Sequence, residues 1–337
     1  VPDLGPFGLE AHDLDAGLAA DLQAGVEQVE ALLRDAVKSD YPFVTEASRH
    51  LVDAGGKRFR PLMVLLAAQF GDPQAPGVVP AAVVVELTHL ATLYHDDVMD
   101  EATMRRGAAS ANLRWDNTVA ILTGDFLFAK ASELLADLGP EAVRLQARTF
   151  ERLCTGQIRE TVGAGPDDDR IEHYLSVLAD KTGSLIATSG RFGAMLSGAD
   201  DAAVDVLTRF GERIGIAFQL ADDLLDVTSE SGQSGKTPGT DLREGVETLP
   251  VLQARRLADP SDPGDARLLE LLDGDLTDDA RREEALALLR GHAAVDAARR
   301  ELLRWGSDAR AVLDPLPDVP AKRALQALAD ATVRRVG

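Results

Sequence analysis

The sequence predicts an all-α protein, and three observations carry that expectation. Aromatic residues make up only 4% of the 337 residues, while Ala, Leu and Val dominate a chain that is 45% hydrophobic. That composition favours tightly packed helices over strands and supplies ample material for a large core. Apolar residues recur at helical spacing, as at Leu18, Leu22, Val26, Val29 and Leu33. Two acidic runs, one holding Asp96, Asp97 and Asp100 and the other Asp222, Asp223 and Asp226, set carboxylates one helical turn apart.

The charge balance narrows the function classes. A formal net charge of −21 argues against nucleic acid or an anionic membrane as the main partner. An anionic substrate must then be drawn in by local Lys, Arg and metal. The single cysteine, Cys154, excludes an intrachain disulfide, fits a reducing compartment and reads as a buried small residue. No apolar run is expected to reach a membrane span, and no positively charged, apolar leader opens the chain. The expectation is a cytoplasmic protein without stable membrane insertion.

Taken in order, residues 1–17 are rich in Gly, Pro and Asp and read as loose, and 18–36 form an amphipathic helix. The block Gly55-Gly56-Lys57-Arg58-Phe59-Arg60-Pro61 ends one helix and starts another, so its basic residues sit at a helix N-terminus. Alone, it reads first as a basic helix cap; the orphan amides and positive dipole end there also suit a diphosphate. Residues 72–80 form a Pro/Gly loop. The acidic runs 167–169, 200–201 and 278–279 spread around a helix rather than sharing a face, so helix capping explains them better than metal. Residues 229–239 form a Ser/Gly/Pro loop holding Lys236, and 259–265 and 314–320 are further loops. Capped or amphipathic helices follow at 277–289 and 321–335.

Chemistry concentrates at 86–107, ELTHLATLYHDDVMDEATMRRG. Asp96 and Asp100 leave the same helix face, where like charges at that spacing call for a multivalent cation. Oxygen ligands without Cys or paired His point to Mg²⁺, which takes one or two carboxylates plus substrate phosphates. Arg105 and Arg106 follow, and guanidiniums suit phosphate oxygens. Metal and arginines together describe a diphosphate site. The run 218–226, FQLADDLLD, repeats the device with Asp222 and Asp226.

These paired DDxxD motifs, the first followed by Arg-Arg-Gly, resemble those of the trans-isoprenyl diphosphate synthases, the polyprenyl synthetase family. The resemblance extends to the GGKRxRP block at 55–61, to Gly124-Asp125-Phe126-Leu127-Phe128-Ala129 as a helix start packed closely on a neighbour, to LCTGQIRE at 153–160 and to Lys181-Thr182. It runs from about residue 18 to the C-terminus. It implies one domain, 18–337, of roughly a dozen helices bundled around a central catalytic cavity. It further implies Mg²⁺ held by Asp96, Asp100 and Asp222, with Asp97 and Asp226 as neighbouring supports. Lys57, Arg60, His89 and Arg106 would hold isopentenyl diphosphate, and Arg105, Lys181 and Lys236 an allylic diphosphate. Thr182 and Gln219 would lie near the reacting carbons. Without the resemblance, His89 reads as a satisfied core histidine and Lys181 as a solvated lysine. The stretch 241–250 matches the family's GKxxGxDLxEGKxTLP block except at its second lysine, which is Val246 here.

In this family the product grows along a channel beside the first acidic helix, and bulk four or five residues before the first Asp stops it early. Thr92 and Ala91 occupy those positions and are small. The expected product is therefore an all-trans polyprenyl diphosphate beyond twenty carbons, made by a homodimer. The alternatives are a geranylgeranyl or farnesyl diphosphate synthase, a class I terpene cyclase, or a non-catalytic partner subunit. Asp226 and the second diphosphate block at 57–60 stand against the cyclase, and the intact acids against the non-catalytic subunit.

Overall fold

The computed structural model describes residues 15–229 and 238–336. Its helices in chain order are α1 (Ala16–Ala36), α2 (Pro42–Asp53), α3 (Phe59–Ala68), α4 (Val78–Met99), α5 (Ala111–Arg114), α6 (Asn117–Leu138), α7 (Pro140–Val162) and α8 (Arg170–Leu178). They continue as α9 (Ser184–Leu196), α10 (Asp201–Thr228), α11 (Thr240–Arg243), α12 (Leu249–Leu257), α13 (Pro263–Leu272), α14 (Asp279–Gly291), α15 (Ala293–Val312) and α16 (Pro320–Arg334). A π turn, Ala179–Gly183, joins α8 to α9. Among the described residues the β structure is one antiparallel pair, β1 (Met104–Arg105) with β2 (Ala108–Ala109). The all-α class expected from the sequence is the class observed.

Helix starts follow the capping chemistry read from the sequence. The Asp169 carboxylate accepts from the amides of Ile171 (2.8 Å) and Glu172 (3.2 Å). Asp200 accepts from Ala203 at 2.7 Å and Asp278 from Arg281 at 3.0 Å. All three acidic runs thus satisfy orphan donors at helix N-termini.

The chain divides into two compact units: residues 1–151, 185–211 and 313–327, and residues 152–184, 212–312 and 328–337. In the first, α4 is the central helix. Ala81, Val83, Val84, Val85, Leu87, Leu90 and Tyr94 are fully buried, so it hides residues on every side. Each fully buried aliphatic side chain of this kind contributes about 1.5–3 kcal/mol. The Tyr94 hydroxyl donates to the Ala47 carbonyl (2.6 Å) and accepts from the Leu51 amide (3.2 Å), tying α4 to α2. The second unit packs Leu178, Ile216, Leu220, Leu224, Leu249, Leu252, Leu271 and Leu289 into one core.

Four local expectations need correction. Helix α4 is long and apolar enough to cross a membrane, although no run was expected to be; its 22 residues carry few charges, and most of the apolar stretch is buried within the protein. Pro80 lies in the first turn of α4, not in the preceding loop, because a first-turn proline removes no intrahelical hydrogen bond. Gly124 lies inside α6 instead of starting it. Cys154 is exposed, since the buried side of this part of α7 is carried by Leu153 and Gly156, and a neighbour about 100° around the helix points away.

Candidate active site

The first unit gathers the two basic blocks around one buried carboxylate. Arg105-Arg106-Gly107 forms the tip of the β1–β2 hairpin, with Arg105 paired to Ala108. Arg106 and Gly107 both have positive φ (52° and 76°), as a tight two-residue hairpin turn of the primed kind requires. The second position favours Gly, which explains the Arg-Arg-Gly order. The other block is equally constrained. Gly55, Gly56 and Arg58 have φ of 86°, 136° and 55°. A Cβ on Gly56 would also come within 2.7 Å of the Arg106 guanidinium, so the glycine loop closes directly over that arginine.

Arg58 is a structural cation. It reaches Glu30 at 2.5 Å, Glu86 at 2.9 Å and the Val52 carbonyl at 2.9 Å, and is buried. Arg106 approaches the same Glu86 at 3.5 Å and donates to the carbonyls of Leu51 and Gly55. Arg60 is left with a buried Nε that has no hydrogen-bond partner. Burial lowers its pKa to about 10, with Glu86 opposing and Arg106 reinforcing the shift, so it stays charged at neutral pH. His89, one turn beyond Glu86, is held well below the usual histidine range, first by burial and then by Arg60, Arg106, Arg105 and Arg58. Glu86 and, through Arg58, Glu30 partly balance this cluster, and the Arg60 Nε is unpaired, which suits a small polyanion. Lys57 stands at the exposed edge of the same block.

The first acidic motif divides its labour. Asp100 is exposed and forms the C-cap of α4, with Asp96 half-buried one turn earlier. Asp97 turns inward, fully buried, and its Oδ1 accepts from Arg105 Nε at 2.6 Å, with Asp100 3.9 Å from the same guanidinium. Burial raises the Asp97 carboxyl against the lowering effect of Arg105, and its Oδ2 has no partner. Asp97 thereby anchors the hairpin arginine. Among the described residues no group of three or more His, Cys, Asp or Glu is arranged to hold a metal by itself. Two oxygen donors one turn apart fit a hard cation that also takes phosphate oxygens, as Mg²⁺ does. Ala91 is fully buried and Thr92 half-buried, with its hydroxyl donating to the His89 carbonyl at 2.8 Å. A Cβ on Gly124 would collide with the His95 imidazole, so the close helix approach expected there is present between α6 and α4.

The second unit holds the other motif on α10. Asp222 pairs with Arg335 at 2.8 Å, and that guanidinium also stacks 4.9 Å from the Phe218 ring. Asp223 is buried and accepts from the Tyr174 hydroxyl and, at 3.0 Å, from the Gln219 amide. Burial pushes its carboxyl up to about 7 against those hydrogen bonds, with Asp222 and Asp226 pushing further. Asp226 accepts from the amides of Thr240 and Asp241, both at 3.1 Å, and so caps the start of α11. Lys181 and Thr182 sit in the π turn, a distortion frequent at functional positions. Lys181 pairs with Glu160 at 2.6 Å. Asp180 beside it is held by Arg152 (2.9 Å) and Arg159 (3.3 Å) where Gly156 lets α7 approach; a Cβ there would meet Asp180 Cβ at 2.9 Å. Val246 is 42% exposed, with no guanidinium in its place, since Arg243 turns to Glu244 at 3.4 Å. Lys236 lies outside the described residues.

Sequence reasoning assigned no role to Glu86, Tyr174, Glu160 or Arg335. Glu86 carried a readable signal: a lone carboxylate inside the apolar run VVVELTHL must find cations or stay costly. The other three meet partners 21 to 113 residues away, and nothing local marks them.

The chain belongs to the polyprenyl synthetase family, whose family model matches residues 41–289. It is 53% identical over 324 residues to a nonaprenyl diphosphate synthase of Mycobacterium tuberculosis, covering 96% of both chains. Its fold matches a geranylgeranyl pyrophosphate synthase from Corynebacterium glutamicum, complexed with calcium and isoprenyl diphosphate, with a TM-score of 0.86 and 50% identity over 96% of this chain and 98% of that one. A decaprenyl diphosphate synthase from Rhodobacter capsulatus matches with a TM-score of 0.85 and 37% identity over 95% and 98%.

Proposed function

We propose that the protein is a Mg²⁺-dependent prenyltransferase. It condenses isopentenyl diphosphate head-to-tail with an allylic diphosphate to give an all-trans polyprenyl diphosphate beyond twenty carbons. The observation that carries this reading is the arginine cluster around neutral His89, with its unpaired Arg60 nitrogen, on a chain of this family. Lys57, Arg60, His89 and Arg106 bind the homoallylic diphosphate; Arg105, Lys181 and Lys236 bind the allylic one. Asp96, Asp100 and Asp222 are the carboxylates for Mg²⁺, which supplies charge stabilisation to the departing diphosphate. Asp97 acts by fixing Arg105, and Asp226 by fixing the 240–241 backbone.

In the reaction the allylic C–O bond breaks and its electron pair leaves with diphosphate. The double bond of isopentenyl diphosphate then forms the new C–C bond. A proton lost from the adjacent carbon restores a double bond, and the released diphosphate accepts that proton. Thr182 and Gln219 present their oxygens toward the developing positive charge. Repeated cycles extend the product along α4 past Ala91 and Thr92. The nonaprenyl and decaprenyl names of two relatives support the length, while the geranylgeranyl name of the Corynebacterium neighbour supports a twenty-carbon product as the second reading.

Residues 18–337 are taken as one catalytic domain. It is proposed to act as a cytoplasmic homodimer, supported by Ile121 and Leu122 remaining 43% and 60% exposed on α6. The deciding experiment is mass analysis of products from purified protein with Mg²⁺, isopentenyl diphosphate and a short allylic primer. Omitting isopentenyl diphosphate must abolish product; a cyclised hydrocarbon formed without it would overturn the proposal.

A further inference from the structure

The hairpin that carries Arg105 and Arg106 is built on two residue pairs, Met104 with Ala109 and Arg105 with Ala108. A ribbon that short is marginal on its own and takes its position from what it is tied to. Arg106 ties it to the Leu51 and Gly55 carbonyls, and Arg105 ties it to Asp97. Both guanidiniums must loosen those contacts to face a phosphate. A further tie uses neither of them: His50 on α2 meets the Ala109 carbonyl of β2 through Nε2 at 2.7 Å.

The other ring nitrogen decides the tautomer. His50 Nδ1 lies 3.1 Å from Arg114 Nη1, and Arg114 Nη2 donates to Glu46 at 2.6 Å. A guanidinium has no acceptor and a carbonyl has no donor. Nδ1 therefore accepts from Arg114, and Nε2 carries the proton given to Ala109. The ring orientation is fixed as well, edge-on to Trp115 with ring centres 5.2 Å apart, while the Arg114 guanidinium lies 4.5 Å from the centre of the same indole. One of the chain's two tryptophans thus braces a histidine that lies outside the proposed ligand set.

We infer that His50 is a positioning residue for diphosphate binding. It holds the β1–β2 hairpin on α2 through the Ala109 carbonyl, and Glu46 and Arg114 set the tautomer that makes it a donor. This rests on the reading of Arg106 as a ligand of isopentenyl diphosphate. When substrate draws Arg106 off the Leu51 and Gly55 carbonyls, the His50 tie remains and keeps the hairpin backbone where it was. The phosphate then meets a guanidinium on a backbone already in place, so less ordering has to be supplied on binding.

The test is titration calorimetry of isopentenyl diphosphate alone, without metal or primer, on wild type, His50→Gln and His50→Phe. Glutamine sets an amide N–H close to the Nε2 position and keeps an acceptor for Arg114, but loses the ring. Phenylalanine keeps a ring against Trp115 and loses both donor and acceptor. His50→Gln should melt below wild type, having lost the aromatic packing, yet bind with near wild-type affinity. His50→Phe should bind roughly three- to tenfold more weakly, the weight of one net hydrogen bond. It should also raise KM for isopentenyl diphosphate far more than it lowers kcat. A dissociation constant from titration does not depend on the folded fraction, so partial misfolding does not blur the comparison. Nitrogen NMR of the histidine rings reads the tautomer: the signal that vanishes in His50→Gln should come from a ring protonated at Nε2. Wild-type affinity in His50→Phe, an equal loss in both variants, or a ring protonated at Nδ1 would overturn the inference and leave the prenyltransferase reading standing. A wild-type protein that binds no isopentenyl diphosphate would instead sink the ligand assignment on which the inference rests.

Discussion

Replacing Glu86 with glutamine probes the charge balance that organises the basic blocks. The side chain is 2% exposed and faces Arg58 at 2.9 Å and Arg106 at 3.5 Å, themselves 6% and 16% exposed. Removing one partner of a buried pair costs about 3–5 kcal/mol. Glutamine keeps an acceptor for one guanidinium N–H, and Arg58 keeps Glu30 at 2.5 Å, which places Glu86→Gln at the low end, about 3 kcal/mol. At about 2–4 °C per kcal/mol, the melting temperature should fall by roughly 6–12 °C. The same change leaves the cluster one charge more positive. A unit charge at about 8 Å in an effective dielectric of about 20 is worth about 2 kcal/mol, so inorganic diphosphate should bind roughly thirtyfold tighter. Melting curves with and without diphosphate test both parts: the variant starts lower and gains more from the ligand. A variant that melts with wild type and gains no more from diphosphate would refute the assignment of Glu86 as the counter-charge.

Other expected outcomes follow from the remaining geometry. Asp96→Ala and Asp222→Ala should each lower Mg²⁺-dependent turnover by several orders of magnitude with far-UV circular dichroism nearly unchanged; near-normal turnover at either position removes it from the metal set. Thr92→Phe should shorten the product, and it is a cleaner probe than Ala91→Phe because Ala91 is fully buried and its carbonyl lies 3.1 Å from where a Cβ on Gly124 would stand; an unchanged product mass would displace the channel from this face. Because the folded state holds His89 well below its ordinary pKa, the unfolded chain takes up a proton there first as pH falls. That stabilisation is complete above about pH 6.5 and declines below it, so His89→Asn should flatten the loss of stability between neutral and mildly acidic pH in denaturation curves.

Much of this protein was legible in the chain itself, because the informative signals were local. Helical period and capping aspartates act within a turn or two, and with the scarcity of aromatics they determined the all-α class and the helix starts at Asp169, Asp200 and Asp278. The two aspartate motifs and the basic blocks were equally readable, since each is a short run whose residues share one helix face or one turn. What each member does was decided by packing. Adjacent aspartates look alike in sequence, yet Asp97 is fully buried against Arg105 while Asp96 beside it is only half-buried, because successive residues on a helix point about 100° apart and only one direction is inward. Asp223 likewise depends on Tyr174, and Asp222 on Arg335, partners brought near by the core of the second unit. The same holds for Arg58, a structural cation beside the proposed ligands Lys57 and Arg60, because its left-handed backbone turns it onto Glu30 and Glu86. Burial and long-range ion pairing are properties of the packed chain: whether a charge is solvated, paired or stranded depends on residues distant in sequence, and only the tertiary structure brings them together.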